Sequence, residues 1–355
     1  MNHAKPAWPI YTGGGTPHDG IDRLPKPPPW RNFSADGAGA ISRHIGEHRT
    51  ATFRPDQSTV EAVNAAIFLR RPLLVSGTPG SGKSTLAYSI AHELGLRDVL
   101  HWPITSRSTL AEGLYQYDAI GRLQDTRVEH PDEERRDATF RAGRPIGDYI
   151  RLGPLGTALL SEEGDKPRVL LIDELDKCDV DLPNDLLNVF EEGTFVIPEL
   201  ERASPDRLVD GKDGTRRFEV YTADTNEKRE VIDGRVSTRV FPIVVMTSNN
   251  EREFPWAFQR RCLRVRLEAP SADRLAAIVE AHLGEVDETA QDRIDWFLGL
   301  QQDEQRLAID QLLNVLYLGR TPGIDWSSAQ FDSLRETLTT KMGTEPGRAN
   351  RTPPA

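Results

Sequence analysis

Nine residues, Gly77–Thr85, constrain this chain more than any other feature. They read GTPGSGKST and satisfy the spacing G-x-x-x-x-G-K-[ST] in full. Glycines at this spacing let the backbone wrap closely around an anion, while loop amides and the N-terminus of a following helix point at it. The flanks suit that geometry. PLLVSG (72–77) reads as a short buried strand, and the sequence after the loop reads as a helix from about Lys83 to Leu94, stopped by Gly95. Gly77, Thr78, Pro79, Gly80, Ser81, Gly82, Lys83, Ser84 and Thr85 are therefore candidates for holding nucleotide phosphates. Lys83 would add positive charge at the β and γ phosphates, and Ser84 a hydroxyl for Mg²⁺.

A strand ending in acids follows downstream. VLLIDELDK carries an apolar run from Val169 to Asp173 and continues into Glu174. A carboxylate at the C-terminal end of a parallel strand beside the cradle faces the bound phosphates. Asp173 can hold Mg²⁺ through water, and Glu174 can draw a proton from the attacking water. FPIVVMTSNN is another apolar run with a polar end. Its Asn249 could orient that water, with Asn250 as the fallback and an ordinary turn as the bland reading. In AFQRRC, Arg260 and Arg261 precede the run LRVRL. An arginine supplied across an interface can neutralise the transferring phosphoryl group, whereas a surface ion pair is the plainer use.

The rest of the chain fits an α/β core with additions. A helix is predicted over Ser58–Arg70, with Val60, Val63 and Ile67 on one face. DVLHWPI reads as a strand, and LRVRL (263–267) as an edge or half-exposed strand. Strands alternating with helices imply a parallel sheet covered on both faces. Residues 1–45 form a Pro/Gly-rich arm, either docked through Trp8, Trp30 and Phe33 or an unstructured leader. The core spans 46–269, with insertions near 106–150 and 199–240 whose charge runs EHPDEERRD and DGKDG read as solvated surface. Tyr115 and Tyr117 in the first insertion could line a pore or simply pack. Four helical stretches make 270–343 a small all-helical domain, with Ser271 as an N-cap, and 344–355 a frayed tail.

Taken in order, GTPGSGKST, LGPLGTALL, VLLIDELDK, EEGTFVIPEL, TSNN and AFQRRC resemble the MoxR branch of the AAA+ ATPases, over roughly residues 55–340. The resemblance implies a P-loop AAA+ αβα core with a parallel sheet in the order 5-1-4-3-2, followed by a small all-helical lid. It implies ATP and Mg²⁺ as cofactors, with Gly77–Thr85 as Walker A, Asp173 and Glu174 as Walker B and Asn249 as sensor 1. Arg261, or else Arg260, corresponds to the arginine that acts across subunits of a homo-hexamer. Such proteins act as chaperone-like remodellers, often beside a von Willebrand A domain partner. The segments PHDGIDRLP and PPPWRNF are also similar to MoxR-type ATPases of bacterial conflict systems. One departure stands out. MoxR-type lids carry an arginine where LAIDQLL has Asp310 and Gln311, leaving Arg306 or Arg320 as substitutes.

Composition limits the alternatives. A formal net charge of -11 disfavours a general nucleic-acid coat, and no basic aromatic stripe suggests a nucleic-acid motor. Cys178 and Cys262 are too few and too distant for a disulfide framework or a metal site. No apolar run approaches the roughly 20 residues of a membrane span, and the start of the chain lacks a signal-like apolar region, so a cytoplasmic protein is expected. The absence of an Asn-Lys-x-Asp motif favours ATP over GTP. A slow nucleotide-dependent switch or scaffold remains the alternative to an active remodeller.

Overall fold

The computed structural model describes residues 53–319, apart from 54, 79, 129–143, 162–165, 204–214, 269–271, 284–290, 292–293, 296 and 300–308. The N-terminal arm, Pro79, both charge runs, Ser271, Arg306, Arg320, the last helix and the tail lie outside the described residues. The chain divides into two compact units. The larger comprises Arg54–Gly77 and Lys83–Leu267, and the smaller takes Phe53, Thr78–Gly82 and the chain from Glu268 onward.

Eleven strands occur among the described residues, all of them in the larger unit. They are β1 (Leu73–Gly77), β2 (Leu100–Pro103), β3 (Tyr115–Tyr117), β4 (Ile150–Leu152), β5 (Val169–Asp173), β6 (Thr194–Val196), β7 (Arg217–Tyr221), β8 (Lys228–Ile232), β9 (Arg235–Ser237), β10 (Ile243–Ser248) and β11 (Leu263–Leu267). Five of them form a wholly parallel sheet in the order β11-β1-β10-β5-β2. The parallel sheet and its flanking helices are the α/β core expected from the sequence. Its central strands are continuous apolar runs because both faces are covered. Val169, Leu170, Leu171 and Ile172 are each fully buried, and every residue of β10 is buried. β11 lies at an edge and alternates exposed Arg264 and Arg266 with buried Val265 and Leu267.

Helices sit where their caps and breakers put them. Asp56 caps the helix Gln57–Leu69, its Oδ1 accepting from Thr59 N at 2.7 Å, and Arg70 ends the helix in the left-handed conformation. The helix Lys83–Glu93 buries Leu86, Ala87, Ile90 and Ala91.

The described parts of the two insertions build most of a second sheet, ordered β3-β4-β7-β8-β9-β6. The physical reason is alternation: Phe218, Val220, Val231 and Val236 point inward and are buried, while Arg217, Glu219 and Glu230 point outward. These inward residues share one apolar cluster with Leu100, Trp102, Leu170, Ile172 and Met246 of the parallel sheet. The turn joining β8 to β9 places Asp233 and Gly234 at φ 52° and 72°, the two-residue geometry that Asp-Gly favours. A Cβ on Gly234 would lie 2.7 Å from Glu201 N. Arg168, just before β5, fixes the β7–β8 turn by paired bonds to Asp224 at 2.8 and 2.9 Å and also donates to Asp98 O.

In the smaller unit, the helices Ala272–Leu283 and Ile309–Gly319 bury Leu275, Val279, Leu312, Leu313 and Leu316 with Ile294 and Phe297. Among the described residues no helix is long and apolar enough to cross a membrane.

Candidate functional site

Strand register gathers the chemistry at one end of the parallel sheet. Val75 and Ser76 of β1 pair with Thr247 and Ser248 of β10, and β10 lies beside β5, which ends in Asp173. The strand that feeds the glycine loop, the strand that ends in the acids and the strand that leads to Asn249 are therefore consecutive neighbours.

The loop itself, Thr78–Gly82, depends on its glycines. Gly80 and Gly82 adopt φ 78° and 90°, where side chains are strained, and a Cβ on Gly82 would come within 2.8 Å of the Phe53 ring. Ser81 N donates to Thr78 O at 3.2 Å, and the Ser81 hydroxyl is buried with no hydrogen-bond partner among the described residues.

Lys83, Ser84 and Thr85 begin the helix that follows. Buried Lys83 donates from Nζ to Gly77 O at 2.9 Å, bridging the two ends of the loop. Burial lowers the Lys83 pKa, with Asp176, Asp173 and Glu174 opposing that shift. Ser84 Oγ donates to Asp173 Oδ1 at 2.7 Å, so the two sequence motifs meet by direct contact. Thr247 Oγ1 donates to the same Oδ1 at 2.5 Å, and His101 Nε2 of β2 lies 3.4 Å from Oδ2. Burial alone would raise the Asp173 pKa, but the bonds from His101, Thr247 and Ser84 outweigh it and hold the carboxyl below its usual value.

Glu174 leaves β5 in the left-handed conformation, φ 60° and ψ 46°. That conformation costs a non-glycine residue about 1–2 kcal/mol. Two bonds hold it: Glu174 N donates to Thr247 Oγ1 at 2.8 Å, and Lys177 N donates to Glu174 O at 3.0 Å. The turn leaves the Glu174 side chain partly exposed and sends Leu175 into the core. Lys177 Nζ lies 2.6 Å from Glu174 Oε2, and this bond raises the Lys177 pKa.

Asn249 follows β10 and is half-buried, whereas Asn250 is exposed. The Asn249 amide N donates to Asp176 Oδ2 at 2.8 Å, and Glu251 N donates to the same oxygen at 3.1 Å. Asp176 is itself buried, and its Oδ1 has no hydrogen-bond partner among the described residues. Arg260 and Arg261 end the helix Trp256–Arg261. Arg261 pairs with Glu191 of the helix Leu182–Glu192 and donates to Ala257 O, while Arg260 is exposed. The structure thus brings Gly77, Lys83, Ser84, Asp173, Glu174 and Asn249 to one sheet end and directs Arg261 to Glu191.

Tyr115 and Tyr117 serve the second sheet. The Tyr115 ring stacks on Phe195 at 6.4 Å, and its hydroxyl donates to Glu199 at 2.9 Å. Burial, then that bond, pushes the phenol up to about 12. Tyr117 Oη accepts from Arg122 at 3.0 Å. Sequence reasoning missed Thr247, Asp176 and His101. Only the third acid of DELDK and the threonine before SNN hinted at the first two, and His101 stood in an apolar run with no motif around it.

Hydroxyl and carboxylate oxygens of Ser84, Thr247 and Asp173 meet beside the Lys83 ammonium, a donor set that suits phosphate and hard-metal chemistry. The family model described as AAA domain (dynein-related subfamily) matches residues 72–262, more than half of the chain, from the start of β1 to the end of the arginine-bearing helix. No curated protein matches the chain.

Proposed function

Because this chain belongs to the AAA domain family, in its dynein-related subfamily, we propose that it binds ATP with Mg²⁺ and hydrolyses the ATP as a MoxR-type AAA+ machine that remodels a partner protein. The observation that carries the reading is the 2.7 Å bond from Ser84 Oγ to Asp173 Oδ1, which joins the anion cradle to the acidic strand end. The two oxygens suit Mg²⁺, which takes hard oxygen ligands and when bound neutralises charge on the phosphate oxygens. The buried Ser81 hydroxyl, which has no hydrogen-bond partner among the described residues, suits a phosphate oxygen.

In this reading the amides from Gly77 to Gly82, including Thr78, Pro79's flanks and Gly80, cradle the phosphates, with Thr85 completing the helix start. Lys83 balances the charge of the β and γ phosphates. Glu174 accepts the proton of the attacking water, and Asn249 orients that water. Arg261, or Arg260 in its place, reaches the nucleotide of a neighbouring subunit in a homo-hexamer, which requires Arg261 to leave Glu191. The core runs over 46–269, with the arm before it and a helical lid over 270–343, where Arg306 or Arg320 stands in for the lid arginine. The client is a protein, with a von Willebrand A domain as the favoured partner class.

ATP turnover of the wild type, Glu174→Gln and Arg261→Ala tests the assignment. Turnover is expected to fall by about 100-fold or more in Glu174→Gln, with nucleotide binding retained. Wild-type rates in both variants would remove the mechanism. A second reading, a slow nucleotide-dependent switch or scaffold in a bacterial conflict or signalling system, is favoured by one observation. Glu174 is bound by Lys177 and Arg261 by Glu191, so both groups are held within the chain. Rapid ATP turnover without any partner would count against it.

A further inference from the structure

Two residues to which the motifs assign no role exchange bonds across the sheet end. Thr247 lies on the strand that leads to Asn249, yet its hydroxyl accepts from Glu174 N at 2.8 Å and donates to Asp173 Oδ1 at 2.5 Å. Asp176 lies on the turn that carries Glu174, yet its Oδ2 accepts from Asn249 N at 2.8 Å and Glu251 N at 3.1 Å. Each element therefore supplies the side chain that fixes the backbone of the other. Both side chains are buried, Thr247 at 0% exposure and Asp176 at 6%, so water cannot replace these bonds at low cost.

We propose that Thr247 and Asp176 form a reciprocal clasp that makes the Glu174 turn and the Asn249 strand end move as one rigid unit. Both are positioning residues: neither needs to touch substrate, and each acts through the group whose backbone it holds. The inference rests on the ATPase reading for its effect on turnover, but not for the clasp itself.

The geometry has a specific consequence. Glu174 sits in a left-handed conformation that its own chain does not favour. Thr247 holds the N–H on the Glu174 side of that strained link. Release of Thr247 frees the carboxylate to swing, and through Asp176 it loosens the loop bearing Asn249. Charge strengthens the second half, because a carboxylate oxygen accepting two N–H donors is a stronger acceptor than a neutral carbonyl. The hydroxyl of Thr247 also ties the clasp to Asp173, so the carboxylate that meets Ser84 and the two groups assigned to the lytic water share one support.

The test uses the full chain and two independent readouts. The first is amide hydrogen exchange without nucleotide, on peptides covering Glu174 and, separately, Asn249 and Glu251. Thr247→Val removes the hydroxyl and keeps the shape. It is expected to speed exchange not only at Glu174 but also at Asn249 and Glu251, whose amides bond to Asp176 and not to the Thr247 hydroxyl. Asp176→Leu is expected to do the converse, and Thr247→Ser and Asp176→Asn, which keep an acceptor, are expected to restore protection. Faster exchange confined to each residue's own bonded amides would overturn the clasp. The second readout is ATP turnover. Thr247→Val is expected to lower kcat by about 100-fold, the effect of misplacing a reacting group by an ångström, while the Kd for ATP stays within about 3-fold. The double variant is expected to be no slower than the slower single variant, because a broken clasp cannot be broken twice. Multiplying losses, or a kcat unchanged in a folded Thr247→Val protein, would also overturn it. If Thr247→Val does not fold, Thr247→Ala carries the same test with neither γ-methyl in place. A wild type that shows coupled exchange but no ATP turnover would sink the ATPase reading and leave the clasp standing.

Discussion

The two sheets of the larger unit are built on opposite logic. The parallel sheet buries both faces and brings its chemistry to its strand ends, so β5 is apolar until Asp173 and β10 is buried until the turn at Asn249. The mixed sheet buries one face and carries charge along the other, with Arg217 bonded to Glu230 and Lys228 lying 4.6 Å over the Tyr221 ring. The first is a platform for a site; the second is a wall that shares a core with that platform. The difference teaches that a charged insertion can be structural to its inner half and solvated only on its outer half.

Substitutions can break or sharpen that contrast. The largest effect belongs to the platform: Lys83→Ala is expected to cut ATP turnover by about 10²–10³-fold and weaken nucleotide binding, measured by steady-state turnover and direct titration. Next comes the inner half of the wall. Phe218→Ala, in a residue 3% exposed, is expected to cost about 3–5 kcal/mol in denaturant unfolding. The contrast predicts an unchanged nucleotide Kd in that variant, and a Kd that weakened as much as in Lys83→Ala would erase the distinction. A third effect sits where wall and platform meet. Asp224→Ala leaves Arg168 buried without its partner and is expected to cost about 3 kcal/mol. Burial would raise the Asp224 pKa, but Arg168 holds it below the usual carboxylate range. The stabilisation is therefore complete above that ordinary range and is lost as pH falls through the depressed value, so unfolding curves of wild type and variant should converge only in acid. The smallest effect is on the outer half: Arg217→Ala, from a pair about 40% exposed on each side, is expected to change stability by less than about 0.5 kcal/mol.

The same contrast explains what could be read from the chain in advance. Fully buried parallel strands advertise themselves as unbroken apolar runs, and a polar residue at the end of such a run is conspicuous. That made β1, β5 and β10 legible, together with Lys83, Ser84, Asp173, Glu174 and Asn249. β7 and β8 read RFEVY and KREVI, where a charge at every other position hides the buried half. Asp233-Gly234 was the local sign of a hairpin, yet β4 and β7, which close the sheet, touch at a single register pair, Arg151 with Tyr221, far apart in sequence. Thr247 and Asp176 were hidden for a related reason. Their significance lies in which backbone amide each one reaches, and that depends on strand order and register rather than on spacing. Arg261 was visible as a residue, but its attachment to Glu191 was not, because the two meet only once the helix Leu182–Glu192 is packed beside its own.

That single junction between β4 and β7 has a consequence for how the protein comes into being. Strands that find each other locally, such as β7 and β8, are rewarded as soon as their turn forms, whereas β4 must wait for a partner made much later and must first meet the entropic cost of closing the long stretch between them. During synthesis Ile150 and Leu152 emerge before anything exists to cover them on that side. Connectivity therefore favours the β7–β8 hairpin ahead of the β4–β7 closure, and the Arg168–Asp224 pair, split by more than fifty residues, belongs with the late, long-range contacts.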